Sequence, residues 1–459
     1  MHPTDLRTFL HLIEQAGQLV RVAPLVDPHL ELATVTDQVC KNERNPRALL
    51  FEQVRGATMP VAVNLFGNVQ RLAWALGTTD LDALAGRLER DLAAPGGSNI
   101  EQALAAICAA PQYQPRTCCQ PACRQVDLGA NGLALLPHIQ AWPEDGGCYL
   151  TLAQVITRGY ADGPQNCGMY RVQLIDRQHV AVRCRPRSGM AGHLAEWHAA
   201  GKSLPVAIVL GGPPCLTWAA AAPLPSTIDE AAFCGYLTGQ QLDMASCEES
   251  ALLVPGDADI VIEGEIAPGE QSIEGPFGNH TGYYDPQGNA PLLAVTRVTT
   301  RKNPIFPWTL VGSPPMEDIA LAQVSERLCL PMVRFSVPSV RNIYMPPEGI
   351  FHRAALLAID PDEKRPLPDL AAALWQTGLL RGARLLVLCS DDCSLHDTSG
   401  IYWRGLNRVN WERDLFLDTG KLVIDARHLP SGAKLGHDPT VLEQVLQRWP
   451  ELGLGTHCD

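Results

Sequence analysis

Apolar residues at Leu6, Phe9, Leu10, Leu12 and Ile13 recur at the spacing of one helical face, with Asp5 placed to cap the segment and Gly17 to stop it. Short apolar runs at 48–51 and 60–64 predict strands. A second helical period covers 79–92, and Pro95-Gly96-Gly97-Ser98 marks a surface loop. This opening predicts a small α/β domain over residues 1–125.

From about residue 150 the period changes to that of strands. Segments 151–158, 168–175 and 179–184 are separated by the turn-prone Asp162-Gly163-Pro164 and Asp176-Arg177-Gln178, which predicts an antiparallel meander. Another strand at 206–210 ends in Gly211-Gly212-Pro213-Pro214, and two more are expected at 260–265 and 292–299. Many strands with few helices over 126–310 predict an antiparallel barrel-like core. After residue 310 helices at 319–330 and 367–377 alternate with strands at 353–359, 384–389 and 421–424, which predicts a separate α/β domain over 311–459, closed by a helix at 439–449. The fold class is therefore multidomain α/β.

Composition narrows the possibilities. Hydrophobic residues make up 46% and charged residues 19% of 459, the balance of a folded globular protein. There is no apolar run of the roughly eighteen residues needed to cross a bilayer, and the start is not a basic segment followed by an apolar core, so a cytoplasmic protein is expected. A formal charge of −13 argues against nucleic acid as a partner. The 15 cysteines are odd in number and scattered along the chain, as expected of unpaired thiols in a reducing compartment. Cys118, Cys119 and Cys123 cluster, but no second Cys/His pair stands at zinc-ligand spacing.

The most distinctive segment is Glu274-Gly275-Pro276-Phe277-Gly278-Asn279-His280-Thr281-Gly282-Tyr283-Tyr284. Its three glycines and proline require a backbone that turns sharply or approaches something closely. Spacing alone allows two places for Glu274, a rigid buried position or a solvent-facing hairpin connection. No Gly-x-Gly-x-x-Gly fingerprint or Walker loop is present, which disfavours nicotinamide or ATP chemistry.

This segment resembles the signature of the UbiD family of prenylated-FMN-dependent decarboxylases, which act on polyprenyl-hydroxybenzoate and other aromatic and acrylic acids. The similarity extends to Asp5-Leu6-Arg7-Thr8-Phe9-Leu10, Leu65-Phe66-Gly67, Trp142-Pro143-Glu144-Asp145, Tyr344-Met345-Pro346-Pro347-Glu348-Gly349 and Gly432-Ala433-Lys434-Leu435. The resemblance implies a central split β-barrel of flavin-binding type and a C-terminal domain that assembles homodimers or homohexamers. It also implies a flavin prenyltransferase as the supplier of the cofactor.

In the family the catalytic set is an arginine, the glutamate of Glu-Gly-Pro, and a second acid five residues later. Arg171, in Asn166-Cys167-Gly168-Met169-Tyr170-Arg171, and Glu274 match the first two; the third position is Asn279. An amide cannot exchange a proton with a substrate at neutral pH, so the resemblance leaves proton delivery to His280, Glu274 or His352. At the cofactor it implies Asn166, Met169, Arg171, Glu230 and Lys434. Asn166 and Glu230 would hold a divalent metal such as Mn2+ or Mg2+, with K+ nearby. Arg187 stands where the third ligand, a histidine, is expected; a guanidinium cannot ligate a metal but can bind a phosphate directly. Thr227-x-x-Glu230 reads equally well as a helix capping box. The expected activity is non-oxidative decarboxylation of an aromatic or α,β-unsaturated acid. The alternative is a flavin-binding relative with lost or altered catalysis, acting as a binding or assembly subunit.

Overall fold

The computed structural model describes residues 2–42, 44–94, 97–391, 393–427 and 436–453. The helix Leu6–Gln15 begins where the sequence places it: the Asp5 carboxylate accepts the Thr8 N–H, and the Thr8 side chain reaches back to the backbone of Asp5. Gly17, at φ +70°, ends it in a conformation that disfavours a side chain. The strands Leu19–Val26, Ala48–Val54 and Val61–Val63 form one sheet, with the helix Glu31–Asn42 crossing between the first two, which are parallel. A fourth strand in this sheet, Phe306–Trp308, arrives from far along the chain, so the N-terminal sheet and the end of the central region share a core.

Six antiparallel strands form a closed barrel. In order around it they are Ala258–Ile266, Leu204–Gly211, Tyr149–Arg158, Gln165–Leu174, His179–Val182 and Gly288–Thr300, and the last pairs again with the first. Closure leaves none of the six with an unpaired edge along its whole length. Val155, Val172, Val180, Val182, Ile208 and Ile262 fill the interior with no exposed surface. Burying each such side chain is worth roughly 1.5–3 kcal/mol. The short strand Gln271–Glu274 runs antiparallel beside residues 288–291 and delivers Glu274 to the barrel.

The C-terminal region opens with the helix Glu317–Ser336. It continues with a five-stranded sheet ordered Val340–Tyr344, Ala354–Ile359, Leu385–Ser390, Lys421–Asp425 and Leu415–Asp418. The final helix, Pro439–Gln447, buries none of its residues against this chain. Among the described residues no helix is long and apolar enough to cross a membrane.

One local expectation is corrected. Thr227 does not cap a helix; its hydroxyl bonds to Glu101, and Asp229 caps Glu230–Thr238 by accepting the N–H groups of Ala231 and Ala232. The Pro213-Pro214 turn opens the helix Pro214–Ala221, because a proline in the first turn gives up an N–H that has no helical partner there.

Candidate active site

The strand Gln165–Leu174 sends alternate side chains to opposite faces. Tyr170 and Val172 turn toward the barrel interior, whereas Cys167 and Met169 pack on the outer core against the neighbouring helices. Arg171 and Gln173 share this outer face by alternation.

Arg171 meets Glu274 through two parallel hydrogen bonds, Nε to Oε1 at 2.9 Å and Nη2 to Oε2 at 2.8 Å. Glu274 is wholly buried, so the solvent-facing reading of its loop is excluded. Arg183, which follows the next barrel strand, approaches the same carboxylate at 3.8 Å. The third nitrogen of Arg171, Nη1, donates to Asp285 Oδ2 at 2.7 Å. Burial opposes the charge on Arg171, but the two paired carboxylates outweigh it and raise the guanidinium above its ordinary pKa. The ring of Phe277 lies 4.5 Å from the guanidinium and packs on Tyr149.

The glycine-rich loop is fixed from below. Gln173 accepts the Gly275 N–H at 2.9 Å and donates to the Gly146 carbonyl, and Gly146 N–H in turn donates to Pro276 O at 2.7 Å. A Cβ on Gly146 would stand 2.1 Å from the Gly275 carbonyl oxygen, so this approach needs glycine. Asp145 accepts the N–H groups of Trp142 and Gly278. Burial nevertheless raises its pKa. The segments 142–145 and 274–278, far apart in sequence, are thus one structure.

Beyond Gly278 a two-residue pairing, Phe277–Gly278 with Tyr284–Asp285, closes a tight hairpin. Asn279 sits inside it. Its carbonyl oxygen accepts from the backbone and hydroxyl of Thr281, and its Nδ2 donates to Asp285 Oδ1 at 2.5 Å. His280 turns away to Asp318 Oδ2, 2.5 Å from its Nδ1, and lies edge-on to Phe351. His352 neighbours Phe351, and burial together with the positive charge of Arg185 lowers its pKa to about 4. It is therefore neutral at pH 7 and a poor source of protons.

The other expected residues lie at the far end of the strand. Asn166 is buried against Gly189, and its Nδ2 has no hydrogen-bond partner among the described residues. Glu230 accepts the Cys167 N–H at 2.9 Å, and burial pushes its pKa up to about 8. A small recess between Gln165, Cys167, Asp229 and Glu230 opens there. Arg187 is exposed, at φ +68°, just before Ser188 caps the helix Gly189–Ala199. Lys434 lies outside the described residues. From Asn166 to Arg171 the strand spans roughly 17 Å, and the two side chains project to opposite faces.

Sequence reading missed Asp285, Arg183 and Gln173. Arg183 was visible as the start of an alternating Arg183-x-Arg185-x-Arg187 run, and Gln173 as the next same-face position after Arg171. Nothing local marks Asp285, whose partner is 114 residues away.

Models of the 3-octaprenyl-4-hydroxybenzoate carboxy-lyase N-terminal, Rift-related and C-terminal domains match residues 10–90, 117–314 and 319–438. The chain belongs to the UbiD family. Two relatives, an uncharacterized protein of Archaeoglobus fulgidus and another of Aquifex aeolicus, are each 34% identical, covering 98% of this chain and 94% of the relative. An evolved dimeric form of the UbiD-class enzyme HmfF from Pelotomaculum thermopropionicum, in complex with prFMN, superposes with a TM-score of 0.80 at 25% identity, covering 97% of this chain and all of that one. Vanillic acid decarboxylase of Sedimentibacter hydroxybenzoicus, at 24% identity and a TM-score of 0.84 over 99% of this chain and all of that one, shares the fold. All three UbiD domain models thus match the chain, and its mixed α/β fold with a closed barrel is the fold of the UbiD-class structures.

UbiD enzymes are decarboxylases. For a phosphorylated flavin the fitting group is Asn166, whose buried amide nitrogen has no hydrogen-bond partner among the described residues and can donate to a phosphate oxygen. A divalent metal fits less well. Asn166 and Glu230 supply two oxygen donors, Arg187 supplies none, and no group of three or more His, Cys, Asp or Glu suited to a metal exists among the described residues.

Proposed function

We propose that this UbiD protein decarboxylates an aromatic or α,β-unsaturated carboxylic acid with prenylated FMN. The observation that carries the reading is the buried two-pronged pair of Arg171 and Glu274, in a chain with all three UbiD domains. The chemistry assigned to the cofactor is electron withdrawal from the carbon that loses carbon dioxide. The protein's share is placement. Arg171 offers Nη1 to the substrate carboxylate, while Glu274, fixed by Arg171 from one side and by the Gln173–Gly275 contact from below, sets the angle of the guanidinium. Phe277 covers the guanidinium and keeps water from it. Asn166, with Arg187 and Lys434, would hold the phosphate end, the two cations concentrating the local positive charge an acidic protein needs there. Met169 would face the flavin body.

The test is protein co-expressed with a flavin prenyltransferase and offered a panel of aryl and acrylic acids. Carbon dioxide release that disappears in Arg171→Ala is expected. Cofactor-loaded protein that releases none from any acid overturns the proposal. One observation favours the alternative of a flavin-binding subunit without turnover: all three nitrogens of Arg171 already face carboxylates of the same chain. In that case benzoate binds without displacing them and no acid is consumed. Self-assembly through the C-terminal region is supported by the exposed side chains Tyr402, Trp403, Leu406 and Trp411 and by the uncovered final helix.

A further inference from the structure

Asn279 stands where the resemblance implies an acid, yet its side chain does not face empty space. It donates a hydrogen bond to a carboxylate, Asp285, which the same hairpin brings back beside it. That carboxylate is the second partner of Arg171 and is about two-fifths exposed, so water can reach it. An acid at both 279 and 285 would press two carboxylates together at 2.5 Å, whereas an amide at 279 turns the contact into a donated hydrogen bond. We propose that Asp285 delivers the proton that replaces the departing carboxyl group, in the place of the missing acid at 279, and that substrate docking loads this proton. This rests on the decarboxylase reading above.

The loading follows from charge. Glu274 and Asp285 bear two negative charges, balanced by Arg171 and the nearby Arg183. The other titratable groups at the loop are Tyr149, Asp145, Tyr284, which accepts the Glu144 N–H, and His280, which is turned away to Asp318. The Tyr149 hydroxyl, whose pKa burial and the Glu274 charge push well up, stays protonated; Asp145 is held by backbone N–H groups. A substrate carboxylate that takes over Arg171 Nη1 brings a third negative charge and deprives Asp285 of its cation. Three negative charges against two cations leave an excess that is relieved when one carboxylate takes up a proton, and Asp285 is the one open to solvent. The bond from carbon to the carboxylate then breaks, its electron pair stays on carbon, and the Asp285 O–H proton passes to that carbon. Asp285 is left ionised, Arg171 is free again, and the next proton comes from water when the next acid docks.

Two measurements test this. The first uses the full chain reconstituted with unmodified FMN, so that benzoate binds without turnover. Calorimetry at pH 7 in buffers of different ionisation enthalpy should show close to one proton taken up per benzoate in the wild type and none in Asp285→Asn. The second uses the prenylated-FMN holoenzyme and compares net product formation with exchange of labelled carbon dioxide into the substrate carboxyl, which needs bond cleavage but no proton. Asp285→Asn should lose net product by 100-fold or more, the scale of general acid catalysis, and keep the exchange. The double variant Asn279→Asp/Asp285→Asn, which exchanges acid and amide, should recover most of the product rate. Equal loss of exchange and product, unchanged product formation, or proton uptake that is absent from the wild type or persists in Asp285→Asn overturns the role of Asp285. A wild type with neither exchange nor product on any acid defeats the decarboxylase reading instead, and the calorimetry still decides whether Asp285 is the proton-loading group.

Discussion

Gln173 stands two residues beyond Arg171 on the same strand face and holds, through its side-chain oxygen, the N–H of the residue that follows Glu274. The pair of catalytic interest is thus braced at both of its ends by one strand. Gln173→Leu would leave the Gly275 N–H buried and unpaired. A loss on the order of 1–3 kcal/mol in stability is expected, together with a fall in kcat larger than any rise in KM, because Glu274 is no longer aimed. Urea unfolding and steady-state rates on the loaded enzyme check both parts.

Arg171→Lys keeps the charge and loses the fork. One ammonium cannot make two parallel bonds to Glu274 while also holding a second carboxylate. A drop in kcat/KM of about 100-fold or more is expected, with circular dichroism unchanged; activity within a few-fold of wild type would refute the two-pronged role.

The loop's glycines separate two kinds of constraint. At Gly278 a Cβ would fall 2.3 Å from Trp142 Cδ1, and that indole is itself tied to the Val311 carbonyl. Gly278→Ala should cost roughly 1–3 kcal/mol through overpacking. In the helix Gly189–Ala199, a Cβ on Gly192 meets nothing within 4 Å. Gly192→Ala should therefore stabilise by roughly 0.5–1 kcal/mol. Paired thermal melts of the two variants make the comparison.

Burial raises the pKa of Glu326 to about 8, only partly offset by the Met345 N–H. Below the ordinary carboxyl range both folded and unfolded chains hold this proton. As pH rises toward 8 the unfolded chain releases it and the folded chain does not, so stability falls across that window and levels above it. Glu326→Gln has no proton to lose. It should be more stable than wild type at pH 8 by an amount on the order of 1–3 kcal/mol and no more stable near pH 4, measured by urea unfolding at both values.

Arg187→His would place an imidazole where a guanidinium stands, two residues before Gly189, which packs on Asn166. Flavin retention by the wild type is expected to be insensitive to a chelator. In the histidine variant retention should become dependent on added Mn2+, read by flavin absorbance after gel filtration.

Much of this was legible in the chain because the signals are local. Asp5 and Gly17 bracket their helix, and the alternation at 151–158, 168–175 and 179–184 reports strands whose one face is interior. The helix Glu31–Asn42 went unread, since its Val35 and Thr34 and Thr36 weaken a helical period that tertiary packing restores. Glu230 looked like half of a capping box because Thr227 has the right spacing, but Asp229 is nearer the first turn and wins. The site was legible wherever a motif carries it, at Arg171 and Glu274. It was illegible at Asp285, where the meaning lies in the return of a hairpin and in a pairing across 114 residues.

The closed barrel has a consequence for how such a protein can change. Arg171 and Gln173 ride on a strand paired on both sides, so a substitution that shifts them disturbs the whole cylinder and is paid for in folding. Asn279 and Asp285 ride on a two-residue hairpin outside it. New substrates and new routes for the proton can be tried there at little structural risk, which makes residues 279–285, beyond the anchored Gly278, the place where laboratory evolution of this scaffold should begin.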